Sequence, residues 1–275
     1  MGNLIKTDLI RVLKDKLFLV LCILCGVFAL ISPLLYKGIE LILELDTFGA
    51  TIENIVSAKQ LFFEAFSLGN NFGLIAPILL AIVLYKDFGH GTIRNKIICG
   101  HSRASIFWAM YVVCAVVLLG VMLVHALLTL GISLLMFEFQ GTPFTSEDAW
   151  YFVESLMFEV LAYLFVSAMV VWLWATMKNA GVVIVMYVAV SFGASLVASI
   201  VMVAVQTLAF NGQQEMLQKA LEIFQNCNLF YSTAFIGTGE EYTTREILCY
   251  LLSPIVCGGG LLTLGFVSFR KRDLK

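Results

Sequence analysis

A chain of 275 residues that is 60% hydrophobic and 13% charged, with mean hydropathy +0.94, is too apolar for a soluble globule and reads as a multi-span membrane protein. Seventeen basic residues against nineteen acidic ones leave no basic face, which argues against a nucleic-acid binder. Seven scattered cysteines set no disulfide framework, and the Cys22 and Cys25 pair, though at redox spacing, lies in an apolar run where thiols pack as small hydrophobes.

The first sixteen residues alternate Leu4, Ile5, Leu9, Val12 and Leu13 with Lys6, Asp8, Arg11, Lys14 and Asp15, a stripe at helical spacing. This predicts an interfacial helix over 1–16, retained rather than cleaved, with its charged face in water. Runs long enough to cross a hydrocarbon core of about 30 Å follow at 17–36, 70–85, 106–137, 151–177, 181–206 and 247–269. The expected fold is an all-α membrane protein, one domain over 1–275 with six transmembrane helices, the second of them short. Thirteen Lys and Arg fall with the N-terminus, 86–103, Lys178 and the C-terminus, against Lys37, Lys59, Lys219 and Arg245 on the other side. Basic residues stay inside, so both termini are expected in the cytoplasm of a multi-pass protein of the cell membrane.

Two long outer segments separate the spans, 37–69 and 207–246. In the first, Ile52, Ile55, Val56, Phe62, Phe63 and Phe66 recur at helical spacing with Glu53, Lys59 and Glu64 between them. They predict an amphipathic helix over 51–66 resting on the bilayer or on a second copy. In the second segment, Met216, Leu217, Ala220, Leu221 and Phe224 oppose Gln214, Glu215, Gln218, Lys219 and Glu222, which predicts another amphipathic helix over 213–224. Gly69 and Gly73 have small-xxx-small spacing beside Pro77, and Gly193, Ser195 and Ser199 form a small-residue face in the fifth run. These six residues are candidates for a dimer seam or a translocation path. His125 is expected as a hydrogen-bonded packing histidine, and Glu154 and Glu159 near the outer headgroups, where a carboxylate reaches water.

Neither a P-loop nor an HExxH, GxSxG or Cys/His metal pattern occurs, so neither a catalytic nor a metal site is expected. The pair Glu240-Glu241 resembles the paired glutamates of intramembrane CAAX-type proteases, but His90, His101 and His125 all lie upstream of it rather than downstream.

The coupling loop over 86–105 is different in kind. Its residues 92–99 make about two helical turns, with Ile93, Ile97 and Ile98 towards the membrane domain, Arg94, Asn95 and Lys96 towards the cytoplasm, and Gly100 as the stop. Asp87, then Gly91-Thr92-Ile93-Arg94-Asn95, then Ser102-Arg103 and a hydrophobic restart resemble the loop between the second and third spans of ATP-binding-cassette type-2 permeases. The resemblance implies a coupling helix seated in a groove of a separate ATPase subunit, with Asp87, Gly91, Thr92, Ile93, Arg94, Asn95, Lys96 and Arg103 at the docking site. It also implies a permease homodimer, no cofactor on this chain, and ATP and Mg bound by the partner. The long outer segments point to the branch that exports amphipathic peptides, of the phenol-soluble-modulin or bacteriocin-immunity type. Extrusion of sodium or small drugs by the same family is the alternative.

Overall fold

A computed structural model describes residues 1–45, 57–139, 145–177, 179–211, 215–237 and 242–272. Lys178, Glu240, Glu241, Gln213 and the 51–56 part of the predicted 51–66 helix lie outside the described residues.

The described residues are helical throughout, with no strand. Helix α1 (Gly2–Leu13) leads into α2 (Lys16–Leu45), a short α3 (Ala58–Phe66), α4 (Asn71–Gly89) and α5 (Thr92–Ile98). Then come α6 (Arg103–Ser133), α7 (Ser146–Thr176), α8 (Ala180–Asn211), α9 (Glu215–Asn226), α10 (Leu229–Ser232) with a 3-10 turn (Thr233–Phe235), and α11 (Thr244–Lys271). Helices α2, α6, α7, α8 and α11 are long and apolar enough to span a membrane, and the pair α4 and α5, bent by 54°, brings the number to as many as six. The short second run of the sequence is helix α4, which breaks from α5 at the elbow.

The ends of the helices follow from local chemistry. Ser57, Thr145 and Thr243 close capping boxes with Gln60, Asp148 and Glu246, and Ser102 caps α6 through Ser105 N–H. The first helix runs on to Leu45, well past the expected 36, because after Gly38 the segment is made of helix-compatible Ile, Leu and Glu with no proline. The third stops at Ser133 rather than 137, closed by turn bonds from Leu135 to Ile132 O and from Met136 to Ser133 O.

Helix α7 is the axis of the bundle, packed most extensively on α11 and also on α6, α4 and α8. At the end nearest the elbow, Trp174 donates from Nε1 to Leu84 O (3.0 Å) and stacks on Phe269. Arg272 donates to Trp174 O and Ala175 O while lying 3.8 Å over the Phe88 ring. A cation at the carbonyl end of α7, stacked on an aromatic face, ties α11, α7 and α4 together.

At the far end, α3 does not rest on the bilayer as its amphipathic pattern suggested. Leu61, Phe62, Phe63, Ala65 and Phe66 are all buried, and the helix plugs the bundle between α6, α7 and the 229–237 segment. The two described polar positions of the pattern find partners: Glu64 accepts from the Tyr36 hydroxyl (2.9 Å) and Lys59 pairs with Asp148 (3.9 Å). Phe62, Phe63 and Phe152 stack into one aromatic cluster, and Phe66 meets Tyr163 edge to face. Helix α9 forms as expected and leaves Met216, Leu217 and Phe224 exposed, an apolar face open to membrane or partner.

Candidate functional site at the elbow

The elbow begins where α4 ends. Gly91 takes a left-handed conformation (φ 66°), α5 runs for seven residues, and Gly100 (φ 88°) closes it. His101 N–H bonds to Lys96 O and Gly100 N–H to Ile97 O, the bond pattern of a Schellman stop.

Of the eight residues assigned to docking, the structure separates an outer set from an inner one. Arg94 and Asn95 are exposed, Gly91 and Thr92 half-buried, and Ile93 is buried against the bundle as expected. Lys96 does not face outward. It is 8% exposed and its ammonium lies 2.7 Å from Asp8 of α1, with Asp87 at 3.5 Å. Asp87 is likewise buried and pairs with Arg11, which also approaches Asp8 at 3.8 Å. Two carboxylates and two cations thus neutralise one another between α1, the end of α4 and α5. The pattern is a clamp, and Asp87 and Lys96 are parts of it rather than parts of a surface. Burial pulls the Lys96 ammonium below its ordinary value, against the hydrogen bond and charge of Asp8.

Arg103 is also turned inward, donating to Arg270 O (2.7 Å) and Arg272 O (2.9 Å), so it caps the end of α11. Ile98, expected against the membrane domain, is 72% exposed and forms the tip with Arg94, Asn95 and Cys99. Asp8, expected on the charged face of α1, is a member of the clamp. Its signal was there: Leu4, Asp8 and Val12 recur every fourth residue, so one acid shares the face of two core residues.

A second tie lies at the α1–α2 corner, where Lys86 donates to both Asp15 oxygens (2.8 and 2.7 Å) and Leu17 N–H to Oδ1. Burial works to raise the Asp15 carboxyl, but the Lys86 bond and charge and the Leu17 amide overcome it, and Asp15 ends below its ordinary value of 3.8. A depressed carboxyl contributes stability above its unfolded value, and that contribution disappears as pH falls through the lower folded value. The corner should therefore hold at neutral pH and weaken below 3.8. Carbon-13 carboxyl titration should show the Asp15 midpoint below 3.8, returning to it in Lys86→Met.

The dimer and pathway candidates fare differently. Gly69 and Gly73 do not share a helix face, since α4 begins at Asn71 and Gly69 lies in the preceding turn. A side chain at Gly73 would meet Ser67 O at 2.7 Å and Leu68 O at 3.0 Å, so this glycine admits its own turn rather than a neighbouring helix. Pro77 is buried inside α4, which continues through it. On α8, Gly193 and Ser199 are exposed beside Phe192, Leu196, Ile200 and Val203, while Ser195 bonds to Ser191 O. His125 packs as expected, donating from Nδ1 to Ala65 O (3.0 Å) and stacking on Phe72. Glu154 is half-buried by the far-end loops, but Glu159 is fully buried near the middle of α7, not at the headgroups.

A far-end cleft of about 670 Å³ lies between α9 and the start of α11, lined by Lys219, Glu222, Arg245, Glu246, Tyr231 and Tyr250 among others. Among the described residues no group of three His, Cys, Asp or Glu is placed to hold a metal ion. No protein-family model matches this chain, and no curated protein matches it.

Proposed function

We propose that this chain is the permease subunit of an ATP-binding-cassette exporter of the type-2 kind, driven by a separate ATPase that docks on the elbow. One observation carries the reading: a short helix is tied to the bundle by a charge-balanced clamp with Asp8, Asp87 and Lys96 buried, while its tip, Arg94, Asn95 and Ile98, is left bare. A flexible basic turn has no need of such a mount, whereas a contact that transmits motion does. The cytoplasmic side is then the elbow end, in keeping with the distribution of Lys and Arg.

On this reading Arg94, Asn95, Thr92 and Ile98 touch the ATPase, and Asp87, Lys96 and Arg103 position them. A second permease copy would pack on the α8 face that carries Gly193 and Ser199. The cargo proposed is an amphipathic peptide, for which the far-end cleft supplies paired charges of both signs beside tyrosines. Sodium and small-drug extrusion remain the alternative cargo classes of the same family.

The deciding experiment is co-purification with a co-expressed ATPase subunit. Arg94→Glu and Ile98→Asp should each weaken association about tenfold or more, the effect of losing one central contact. Both substitutions fall on exposed positions, so folding should be unchanged. Unaltered association, or full transport by the purified chain without any ATPase, would overturn the proposal.

A further inference from the structure

Helix α7 carries a pattern that the elbow does not use. Ser155, Glu159, Tyr163 and Ser167 recur every fourth residue and all are fully buried, so they form one polar stripe down the face turned into the bundle. Three of the four are satisfied. Ser155 donates to Tyr151 O (2.8 Å) and receives the Tyr242 hydroxyl proton (2.6 Å), Tyr163 donates to Phe66 O (2.7 Å), and Ser167 donates to Tyr163 O (2.8 Å). Glu159 has no such partner: both carboxyl oxygens are buried and unbonded.

We propose that Glu159 is a proton-binding site of the membrane domain, and that release of its proton is linked to opening of the α3 plug. The proposal does not depend on the ATPase reading. A carboxylate buried among apolar side chains without a counter-charge costs several kcal/mol, so the closed bundle requires the acid form. A metal cation is the wrong ligand for this place, because a hard cation takes six or more oxygens and the described residues offer no carboxylate cluster. One proton needs one carboxyl.

The link to the plug is geometric. The turns of α7 on either side of Glu159 are the ones that hold the far-end segments in place. Ser155 is joined through the Tyr242 hydroxyl to Gly237 N–H (2.9 Å), and Tyr163 holds the carbonyl of Phe66 in α3. His125 holds the neighbouring carbonyl, Ala65, from α6. Undoing these bonds brings water to Glu159, and a hydrated carboxyl ionises. Acid therefore favours the plugged form, and rising pH favours opening.

On α7 itself the other titratable groups are Glu147, Asp148 and Tyr151 in its first turns, the half-buried Glu154, and Tyr163. On α6 they are Arg103, Tyr111, Cys114 and His125, on α8 Tyr187, and on α11 Arg245, Glu246, Cys249, Tyr250 and Cys257 with Arg270 and Lys271 in its last turn, while Lys59 of α3 pairs with Asp148. Tyr231 and Tyr242 stand on the far-end segment, Glu64 on α3 is bonded to Tyr36, and on α4 the groups are Tyr85, Lys86 and Asp87 at the elbow end. None of those near Glu159 is a Lys or Arg that would hold it as an anion.

The test uses the full chain in lipid nanodiscs. Dicyclohexylcarbodiimide, which adds to a protonated carboxyl in an apolar setting, should modify Glu159 as read by peptide mass. A water-soluble carbodiimide should not. In parallel, hydrogen exchange of residues 57–67, corrected for intrinsic chemistry, should quicken with pH by up to tenfold per unit for one linked proton. Glu159→Gln should abolish that dependence, and Glu159→Leu serves if the Gln variant does not fold. Equal labelling by the soluble reagent, no labelling of folded wild type at any pH from 5 to 9, or the same pH dependence in wild type and variant would each overturn the proposal.

Discussion

Gly237→Ala is expected to destabilise the protein by about 2–5 kcal/mol and to unseat the far-end plug. Two costs add. Gly237 sits at φ 78°, where an L side chain loses roughly 1–2 kcal/mol. A methyl group there would overlap the ring of Phe63, and forcing extra carbon into a packed core costs about 1–3 kcal/mol more. The ring has nowhere to go, since Phe62 lies 5.3 Å and Phe152 4.9 Å from it between centroids. Thermal unfolding in detergent should show the loss, and proteolysis between 57 and 67 should show the plug released. Phe63→Ala alone should cost about 3–5 kcal/mol by leaving a cavity. The double variant should cost less than the sum, because the truncated ring makes room for the methyl. Additive costs would show that residue 237 and Phe63 do not touch.

The bundle was legible in the sequence because its signal is dense. Twenty apolar residues in succession admit few readings, and α6, α7, α8 and α11 all lie within a few residues of the expected spans. The elbow was legible for a different reason: Gly91, Gly100 and Ser102 are punctuation with a backbone mechanism; Gly100 closes α5 as expected, Gly91 opens it, and Ser102 starts α6 three residues before the expected 106. Facing was not legible. In α5, only seven residues long, one turn decides which side chain points inward, and the helical wheel placed Lys96 with Arg94 because both are basic. The docked α1 reversed that assignment by bringing Asp8, a contact across 88 positions of sequence. The same blindness hid the α3 plug, whose charged residues mark water only until a tyrosine or an aspartate covers them. Glu159 was misplaced for a simpler reason. Four polar residues spaced by four inside a long apolar run are diluted in any average, although the spacing itself puts them on one buried face.

Asp8→Ala is expected to cost about 3 kcal/mol, the scale of leaving a buried cation without its partner. Lys96 would keep only the longer contact to Asp87 at 3.5 Å, and Arg11 would lose one of its two carboxylates. Lys96→Met should be comparable, since it leaves Asp8 and Asp87 with Arg11 alone. Replacing both members of the closest pair, Asp8→Leu with Lys96→Met, should recover most of the loss, because an apolar pair of similar volume avoids the cost of dehydrating two charges. Urea unfolding of the four proteins in detergent gives the coupling energy as a double-mutant cycle, expected at about 1–3 kcal/mol. Binding of the proposed ATPase partner, measured on the same four, then separates holding from touching. Neither Asp8 nor Lys96 reaches the surface that Arg94 and Ile98 present, so each single substitution should weaken docking by loosening the elbow, and the double should restore it. Docking that stayed lost in the stable double variant would mean that the charge of Lys96 meets the partner directly, and that the clamp opens to deliver it.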